Sequence, residues 1–341
     1  MKIGLIGYSG SGRSTLFHWL TGVEPDPSMS HSSQSAMATV VDERVASLCE
    51  IFKPKKITQA SLEIVDTPGL SQDHEGSAQK LATIREAGCL VFVVSSFEGN
   101  NGLSDLSNFD DDLLIADLDI VSNRVDRLKE QVKKPKPDRE EREKELAALL
   151  PLLARLEEGK SLRGVELNPD QKKATRSFQL LSEKPRFVII NCADDEEDPQ
   201  RFFDAKPDDC EMVVVSLQLQ MDLQQMDDAE RADFCEEMGV TQYDREPLIL
   251  EIMSASNQML FFTAGEKEVR TWMIPKNCTA VDAAGSIHTD LAKGFIRAAT
   301  MTVDDLVRLG SEREVKAQSL MRQEPKDYVI QDGDILEIRH N

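Results

Sequence analysis

At 341 residues, 40% of them apolar, the chain is long enough for two or three domains with sizeable cores. Its formal net charge of −21 opposes broad non-specific binding to nucleic acid, DNA included, and no window approaches the roughly 18 consecutive apolar residues of a membrane span. Six scattered cysteines without a C-x-x-C pair read as thiols of a reducing cytosol rather than zinc ligands, and Met1–Ile6 runs into a glycine loop where a secretory leader would need a long apolar stretch.

Lys2–Ile6 is a short apolar run of strand type that breaks at Gly7, and a helical pattern restarts at Arg13 with Leu16, Phe17, Trp19 and Leu20. Between them, Gly7-Tyr8-Ser9-Gly10-Ser11-Gly12-Arg13-Ser14 fits the phosphate-loop template G-x-x-x-x-G-K-[ST], with arginine in the lysine position. The glycines let consecutive N–H groups turn inward around an anion, and the helix start adds its positive dipole end. Ser9, Gly10, Ser11, Gly12, Arg13, Ser14 and Thr15 are therefore candidate nucleotide-binding residues, with the Ser14 hydroxyl a candidate ligand of Mg²⁺. The competing reading is a plain Gly/Ser-rich turn.

Residues 23–39, rich in Ser and Pro and without periodicity, read as a mobile loop where a first switch segment would sit. A helix is expected over Asp42–Phe52, then a strand Ser61–Asp66 ending in Asp66-Thr67-Pro68-Gly69. D-x-x-G after a strand is what a nucleotide switch needs: Asp66 to hold Mg²⁺ through water, and the Gly69 N–H to sense the γ-phosphate. A helix around Ser77–Ala87 leads into Cys89–Ser95, a continuous apolar run of the kind repeated at Arg186–Asn191 and Met212–Ser216. Runs this apolar, alternating with helices, predict a doubly wound α/β sheet.

Between those strands the pattern changes. Leu114, Leu118, Val121, Val125, Leu128 and Val132 step by 4, 3, 4, 3 and 4, and after Pro135-Lys136-Pro137-Asp138 a second helix carries Leu146, Leu149, Leu153 and Leu156. Two heptad seams joined by a proline turn predict an antiparallel coiled-coil hairpin, each arm roughly 30 Å long. A helix near Pro169–Leu181 returns the chain to the sheet. The hairpin tip holds Lys129, Lys133, Lys134, Lys136, Arg139 and Arg142, diluted by Glu130, Asp138, Glu140 and Glu141. It reads either as a surface for RNA or an acidic partner, or as a solvated, self-paired tip.

Asn191-Cys192-Ala193-Asp194 has the N-x-x-D shape of a base-recognition loop, in which the asparagine pins the loop and the acid reads the base edge. The competing reading is a chance match with an acidic loop, since Asp195, Glu196 and Glu197 follow. Ser216, closing the last apolar run, joins Asn191 and Asp194 as a candidate nucleotide-binding residue. By residue chemistry an aspartate leans towards guanine, whose edge offers two donors. Residues 194–237 hold sixteen Asp/Glu against three Lys/Arg, a net −13 that reads as a solvated acidic face. Beyond it, Met259–Thr263, Val269–Met273 and Asp334–Ile338 read as strands, and Asp282–Leu291 and Thr302–Leu309 as helices. That order fits a β-grasp module, and residues 256–341 balance eleven Lys/Arg against thirteen Asp/Glu, so this part can approach an RNA surface.

The C-terminal text is the most telling. Phe262-Thr263-Ala264-Gly265-Glu266-Lys267-Glu268-Val269-Arg270-Thr271-Trp272, Ala283-Ala284-Gly285-Ser286-Ile287-His288-Thr289-Asp290, Lys293-Gly294-Phe295-Ile296-Arg297-Ala298 and Asp327-Tyr328-Val329-Ile330-Gln331-Asp332-Gly333-Asp334 closely resemble the TGS domain of the Obg-like ATPases, the YchF family. Asp117-Leu118-Asp119, Leu156-Glu157-Glu158-Gly159 and Asp66-x-x-Gly69-Leu70 extend the similarity along the chain. The resemblance implies a G domain over 1–111 and 183–255, a coiled-coil insertion over 112–182 and a TGS domain over 256–341.

It also implies a cytoplasmic P-loop NTPase that binds the ribosome or its RNA through coiled coil and TGS domain, and hydrolyses ATP slowly with Mg²⁺. The sequence leaves the oligomeric state open, with a monomer favoured because the hairpin can satisfy its own seam. GTP stays open through Asp194. Leu70 stands where other GTPases place a water-orienting glutamine, and no catalytic residue is assigned. The departures fall at the nucleotide site. The loop reads GYSGSGRST where relatives have G-L-P-N-V-G-K-S-T, Thr67-Pro68 replaces their I-A, and Asp194 replaces a glutamate. Phe92 replaces a histidine, and a T-I-E-P-N segment has no counterpart in 23–39. A degenerate adaptor acting through the TGS domain is the alternative.

Overall fold

The computed structural model describes residues 1–29, 32–68, 81, 83–97, 102–134, 137–196, 198–207, 209–240 and 242–341. In chain order the elements up to residue 255 are β1 (Lys2–Ile6), α1 (Arg13–Thr21), β2 (Gln34–Thr39), α2 (Glu43–Phe52), β3 (Ile57–Thr58), β4 (Ser61–Asp66), β5 (Cys89–Ser96), α3 (Gly102–Val132), α4 (Arg139–Glu157), α5 (Pro169–Thr175), β6 (Arg186–Cys192), β7 (Glu211–Val215), α6 (Leu217–Leu223), α7 (Asp228–Met238) and α8 (Arg245–Ala255). There follow β8 (Gln258–Ala264), β9 (Val269–Pro275), α9 (Ala280–Ile287), α10 (Thr289–Lys293), β10 (Phe295–Thr302), α11 (Val303–Leu309), α12 (Glu312–Ala317), β11 (Arg322–Glu324) and β12 (Asp334–His340). The chain divides into two compact units, Met1–Ala36 with Glu63–Tyr243, and Met37–Leu62 with Asp244–Asn341.

The apolar runs of the first half form a sheet of order β2-β4-β1-β5-β6-β7, with β4, β1, β5, β6 and β7 parallel in succession. All of β6, and β5 up to Ser95, are buried, as expected for parallel strands covered on both faces. This order sets the carboxyl ends of β1, β4, β5 and β6 along one edge, where ligands of open α/β sheets bind.

Helix α3 serves two cores. Its first turns place Leu106, Phe109 and Leu113 among Phe92, Val94 and Ile190 of the sheet. Further on, Val121, Val125 and Leu128 pack with Leu149, Leu153 and Leu156 of α4, so the predicted seam closes within one chain. Leu162, Leu167 and Leu180 of the returning segment seal its foot. Where the two cores meet, fully buried Asp117 accepts from Arg85 Nη1 and from the Ser182 N–H, both at 2.7 Å. A buried carboxylate needs such partners, and removing one leaves an uncompensated charge.

The second unit carries a sheet of order β11-β10-β12-β8-β9-β3. Met259, Phe261 and Ile274 of the β8–β9 hairpin bury against Ala280 and Ala283 of α9 and Leu336 of β12. The segment after β2 belongs to this unit. β3 pairs with β9, the Ala60 N–H donates to Thr271 Oγ1 at 2.6 Å, and Arg44 of α2 bridges Asp42 and Asp332 with its guanidinium 5.1 Å from the Phe262 ring centre. Hydrogen bonding to Asp42, with Asp332 adding to it, raises the Arg44 pKa despite burial.

The structure corrects three readings of local structure. The helix expected near Pro169–Leu181 ends at Thr175. Gln34–Thr39, expected as loop, is strand β2. Its inward side chains include Ala36 and Ala38, too small to write a hydrophobic alternation into the sequence. The helix expected over Asp282–Leu291 is broken at His288, which adopts an extended backbone and caps α10 by accepting from the Asp290 N–H. Of the helix expected over Ser77–Ala87, residues 81 and 83–85 are helical, and 77–80 and 82 lie outside the described residues.

Candidate functional site

The glycine loop turns between β1 and α1 as its sequence requires. Gly12 has φ 97°, and a Cβ there would stand 2.3 Å from Asn191 Nδ2, so position 12 accepts only glycine on both counts. Gly7 is equally confined, since a Cβ would meet Ser11 Oγ and the Val93 carbonyl at 2.4 Å. Tyr8 anchors the start of the loop by stacking on Phe109 of α3, ring centres 4.2 Å apart. Burial, with Asp112 and Asp105 nearby, pushes the Tyr8 phenol up to about 12. Ser9 and Gly10 are exposed at the apex, Thr15 is half-buried on the first turn of α1, and Ser11 is buried with no partner for its hydroxyl among the described residues.

Arg13 and Ser14 both turn to the end of β4. The Ser14 hydroxyl donates to Asp66 Oδ2 at 2.6 Å. Arg13, its side chain only 11% exposed, donates from Nη1 to the Thr67 carbonyl and places that nitrogen 3.5 Å from Asp66 Oδ1. Burial lowers the Arg13 pKa, with Asp66 opposing the shift. Thr67 is itself held by donating its hydroxyl to the Leu5 carbonyl at 2.6 Å. Arg13 Nε and Asp66 Oδ1 are buried and make no hydrogen bond among the described residues. Gly69 and Leu70 lie outside the described residues.

Asn191, at the end of β6, ties the loop to the next element. Its Nδ2 donates to the Ser11 carbonyl at 3.1 Å, and its Oδ1 accepts from the Leu217 N–H at 3.0 Å. Beside it the Ser216 hydroxyl donates to Asp194 Oδ1 and accepts from the Leu219 N–H, capping α6. Cys192 faces the sheet's core cluster, and burial pushes its thiol up to about 11, which makes it an inert packing group. Phe92 likewise is core, edge-on to Phe109 at 5.9 Å.

The structure thus brings together the loop Ser9–Thr15, Asp66, Asn191, Asp194 and Ser216. Sequence reasoning missed Tyr8, Thr67 and the Leu217 N–H. Tyr8 and Thr67 act through partners distant in sequence, and a backbone donor leaves no residue signature. Among the described residues no group of three or more His, Cys, Asp or Glu is placed to hold a metal, and no helix is long and apolar enough to cross a membrane. At the arm's tip Lys129, Lys133, Arg139 and Arg142 pair with Asp126, Glu130, Glu143 and Asp138, the self-paired arrangement. Lys136 lies outside the described residues.

Residues 2–135 match the family model described as 50S ribosome-binding GTPase, and residues 259–341 match the YchF GTPase C-terminal model, described as a protein of unknown function. Over its full length the chain is 33% identical to the ribosome-binding ATPase YchF of Escherichia coli O157:H7, covering 99% of that relative. The chain belongs to the YchF family. The Bacillus subtilis YchF, also named a ribosome-binding ATPase, is 29% identical over 99% of its length. The solved structure of the Schizosaccharomyces pombe YchF GTPase superposes with a TM-score of 0.83 at 25% identity, covering 99% of this chain and 97% of that one. The α/β sheet bearing the glycine loop is thus the G domain of a YchF protein, followed by the family's C-terminal domain.

Proposed function

We propose that this YchF family member binds a purine nucleoside triphosphate, ATP with GTP as the alternative base, hydrolyses it slowly, and works as a cytoplasmic monomer on the ribosome. The observation that carries the nucleotide reading is Asn191, whose amide bonds the loop on one side and the Leu217 N–H on the other, as a base-side pin must. In this reading the backbone of Ser9–Thr15 cradles the phosphates, Arg13 neutralises them, Gly69 senses the γ-phosphate, and Asn191, Asp194 and Ser216 hold the base. The Ser216 hydroxyl fixes the Asp194 rotamer, leaving its other oxygen to accept from the base.

The donor set at β4 suits Mg²⁺: a hydroxyl and a carboxylate in contact, with Asp66 Oδ1 buried and making no hydrogen bond among the described residues. Ser14 and Asp66 would hold the ion, which when bound neutralises charge on the β- and γ-phosphates. Hydrolysis breaks the terminal P–O bond and adds water's oxygen to the released phosphate, and turnover is slow because Leu70 stands where other GTPases place the glutamine that orients that water.

We assign the arm, 112–182, and a TGS module, 256–341, to ribosome contact, flanking a G domain of 1–111 and 183–255. Arg297 and Arg339 support the C-terminal part, since they sit opposite each other on β10 and β12, exposed and without an ion pair among the described residues. Like charges in that register repel unless an anion such as RNA phosphate lies between them.

Competition of ATP and GTP for a fluorescent nucleotide analogue tests the reading. Displacement by ATP is expected, and failure of both nucleotides to displace the analogue would refute it. The engagement of Arg13 with Thr67 and Asp66 favours a second reading, an adaptor that does not hydrolyse. Single-turnover assays with Mg²⁺ and purified ribosomes separate the two, because phosphate release excludes the adaptor.

A further inference from the structure

The group that departs furthest from the phosphate-loop template lies against the two residues that would hold the metal. Arg13 Nη1 is bonded to the Thr67 carbonyl and stands 3.5 Å from Asp66 Oδ1, while Asp66 Oδ2 is taken by the Ser14 hydroxyl at 2.6 Å. A guanidinium stays charged in any protein setting, so this carboxylate already has a cation beside it. A divalent ion entering between Ser14 and Asp66 would have to open their hydrogen bond and share the carboxylate with that cation.

The unpartnered atoms point the same way. Ser11 Oγ, Arg13 Nε and Asp66 Oδ1 are all buried, and none makes a hydrogen bond among the described residues. Native proteins rarely bury polar atoms unmatched unless a ligand completes them. Two of the three are donors, a hydroxyl and a guanidinium N–H, and they flank the loop that cradles phosphate. Phosphate oxygens satisfy both. The planar fork of arginine bonds a carboxylate with one nitrogen and a phosphate with another, which the compact ammonium of lysine matches less well.

We propose that Arg13 takes over much of the divalent cation's part in binding: the triphosphate is held with little dependence on Mg²⁺, the guanidinium bridging Asp66 and the phosphates. This rests on the nucleotide reading above and specifies which cation secures the ligand.

The test is titration of the full chain with a fluorescent ATP analogue and a fluorescent GTP analogue, in excess Mg²⁺ and in excess EDTA, for the native sequence and for Arg13→Lys. The native chain is expected to shift its Kd by less than about threefold between the two media, and Arg13→Lys by about tenfold or more, a difference that one charged contact supplies. A tenfold or larger loss of affinity by the native chain in EDTA would overturn the proposal, whatever the variant does. A variant as indifferent to Mg²⁺ as the native chain would overturn it too, because arginine would then not be the cause. Absence of binding in both media would refute the nucleotide reading itself and this proposal with it. The native-chain comparison needs no variant to fold.

Discussion

The glycine loop and the C-terminal sheet close their buried polar groups in opposite ways. At the loop, Ser11 Oγ, Arg13 Nε and Asp66 Oδ1 are buried and make no hydrogen bond among the described residues. In the C-terminal unit, among the described residues, no buried side-chain polar atom is left over. Its fully buried Asp334 accepts from the Tyr328 hydroxyl at 2.9 Å and the Gln331 N–H at 3.0 Å, with Arg322 at 3.5 Å. Burial raises the Asp334 pKa, and those three partners work against the shift. The difference separates two uses of buried polarity. A satisfied network holds one structure, whereas the incomplete one at the loop is where we propose that a ligand binds.

That contrast can be broken from either side, and the largest effect is expected at the loop. Gly12→Ala places a Cβ in a left-handed conformation and against Asn191, so nucleotide affinity should fall by about 100-fold or more in a fluorescent-analogue titration, an energy of roughly 3 kcal/mol. A normal affinity would mean that the pin between Asn191 and the loop carries nothing. On the other side, Asp334→Ala strands Tyr328 and the Gln331 N–H. Urea unfolding should show a loss of about 3 kcal/mol, with nucleotide Kd unchanged within about twofold.

Arg13→Lys comes next. In Mg²⁺ it should tighten nucleotide binding by about tenfold, or 1.4 kcal/mol, by restoring the compact ammonium of the template. Unchanged affinity would show that arginine does the lysine's work in full.

The smallest effect concerns Tyr8. Its pKa is raised in the fold to about 12 from 10.0, chiefly by burial. The folded state therefore keeps the proton after the unfolded chain has lost it. The Tyr8 contribution to stability is complete below pH 10 and is lost as pH rises towards 12. Tyr8→Phe should flatten the fall of stability across that window, measured by urea unfolding at a series of pH values. Tyr328, also near 12, titrates in the same window and supplies the control that tells the loop from the C-terminal network.

Much of the site was legible in the sequence because its parts are local. The glycine spacing, the apolar run before Asp66 and the strand ending at Asn191 each state their geometry within a few residues, and the Leu and Val steps of the arm state theirs by period. Tyr8, Thr67 and the Leu217 N–H were not legible, because their partners lie far away in the chain. Strand β2 escaped because alanine marks no face. The break at His288 escaped because a residue that caps one helix by ending another looks, in sequence, like either.

Sequence by itself thus determined the parallel strands β1, β4, β5, β6 and β7, the heptad seams of the arm and the glycine loop between β1 and α1, since backbone turns and hydrophobic periods are short-range properties. Only the tertiary structure decided two things. It set residues 37–62 in one compact unit with the C-terminal sheet, through the pairing of β3 with β9 and the bridge from Arg44 to Asp332. It also turned Arg13 to Asp66 and the Thr67 carbonyl, which lie more than fifty positions away in the chain. Where a long, charged side chain points is settled by the nearest opposite charge once the strands have brought it there, and no local rule contains that information.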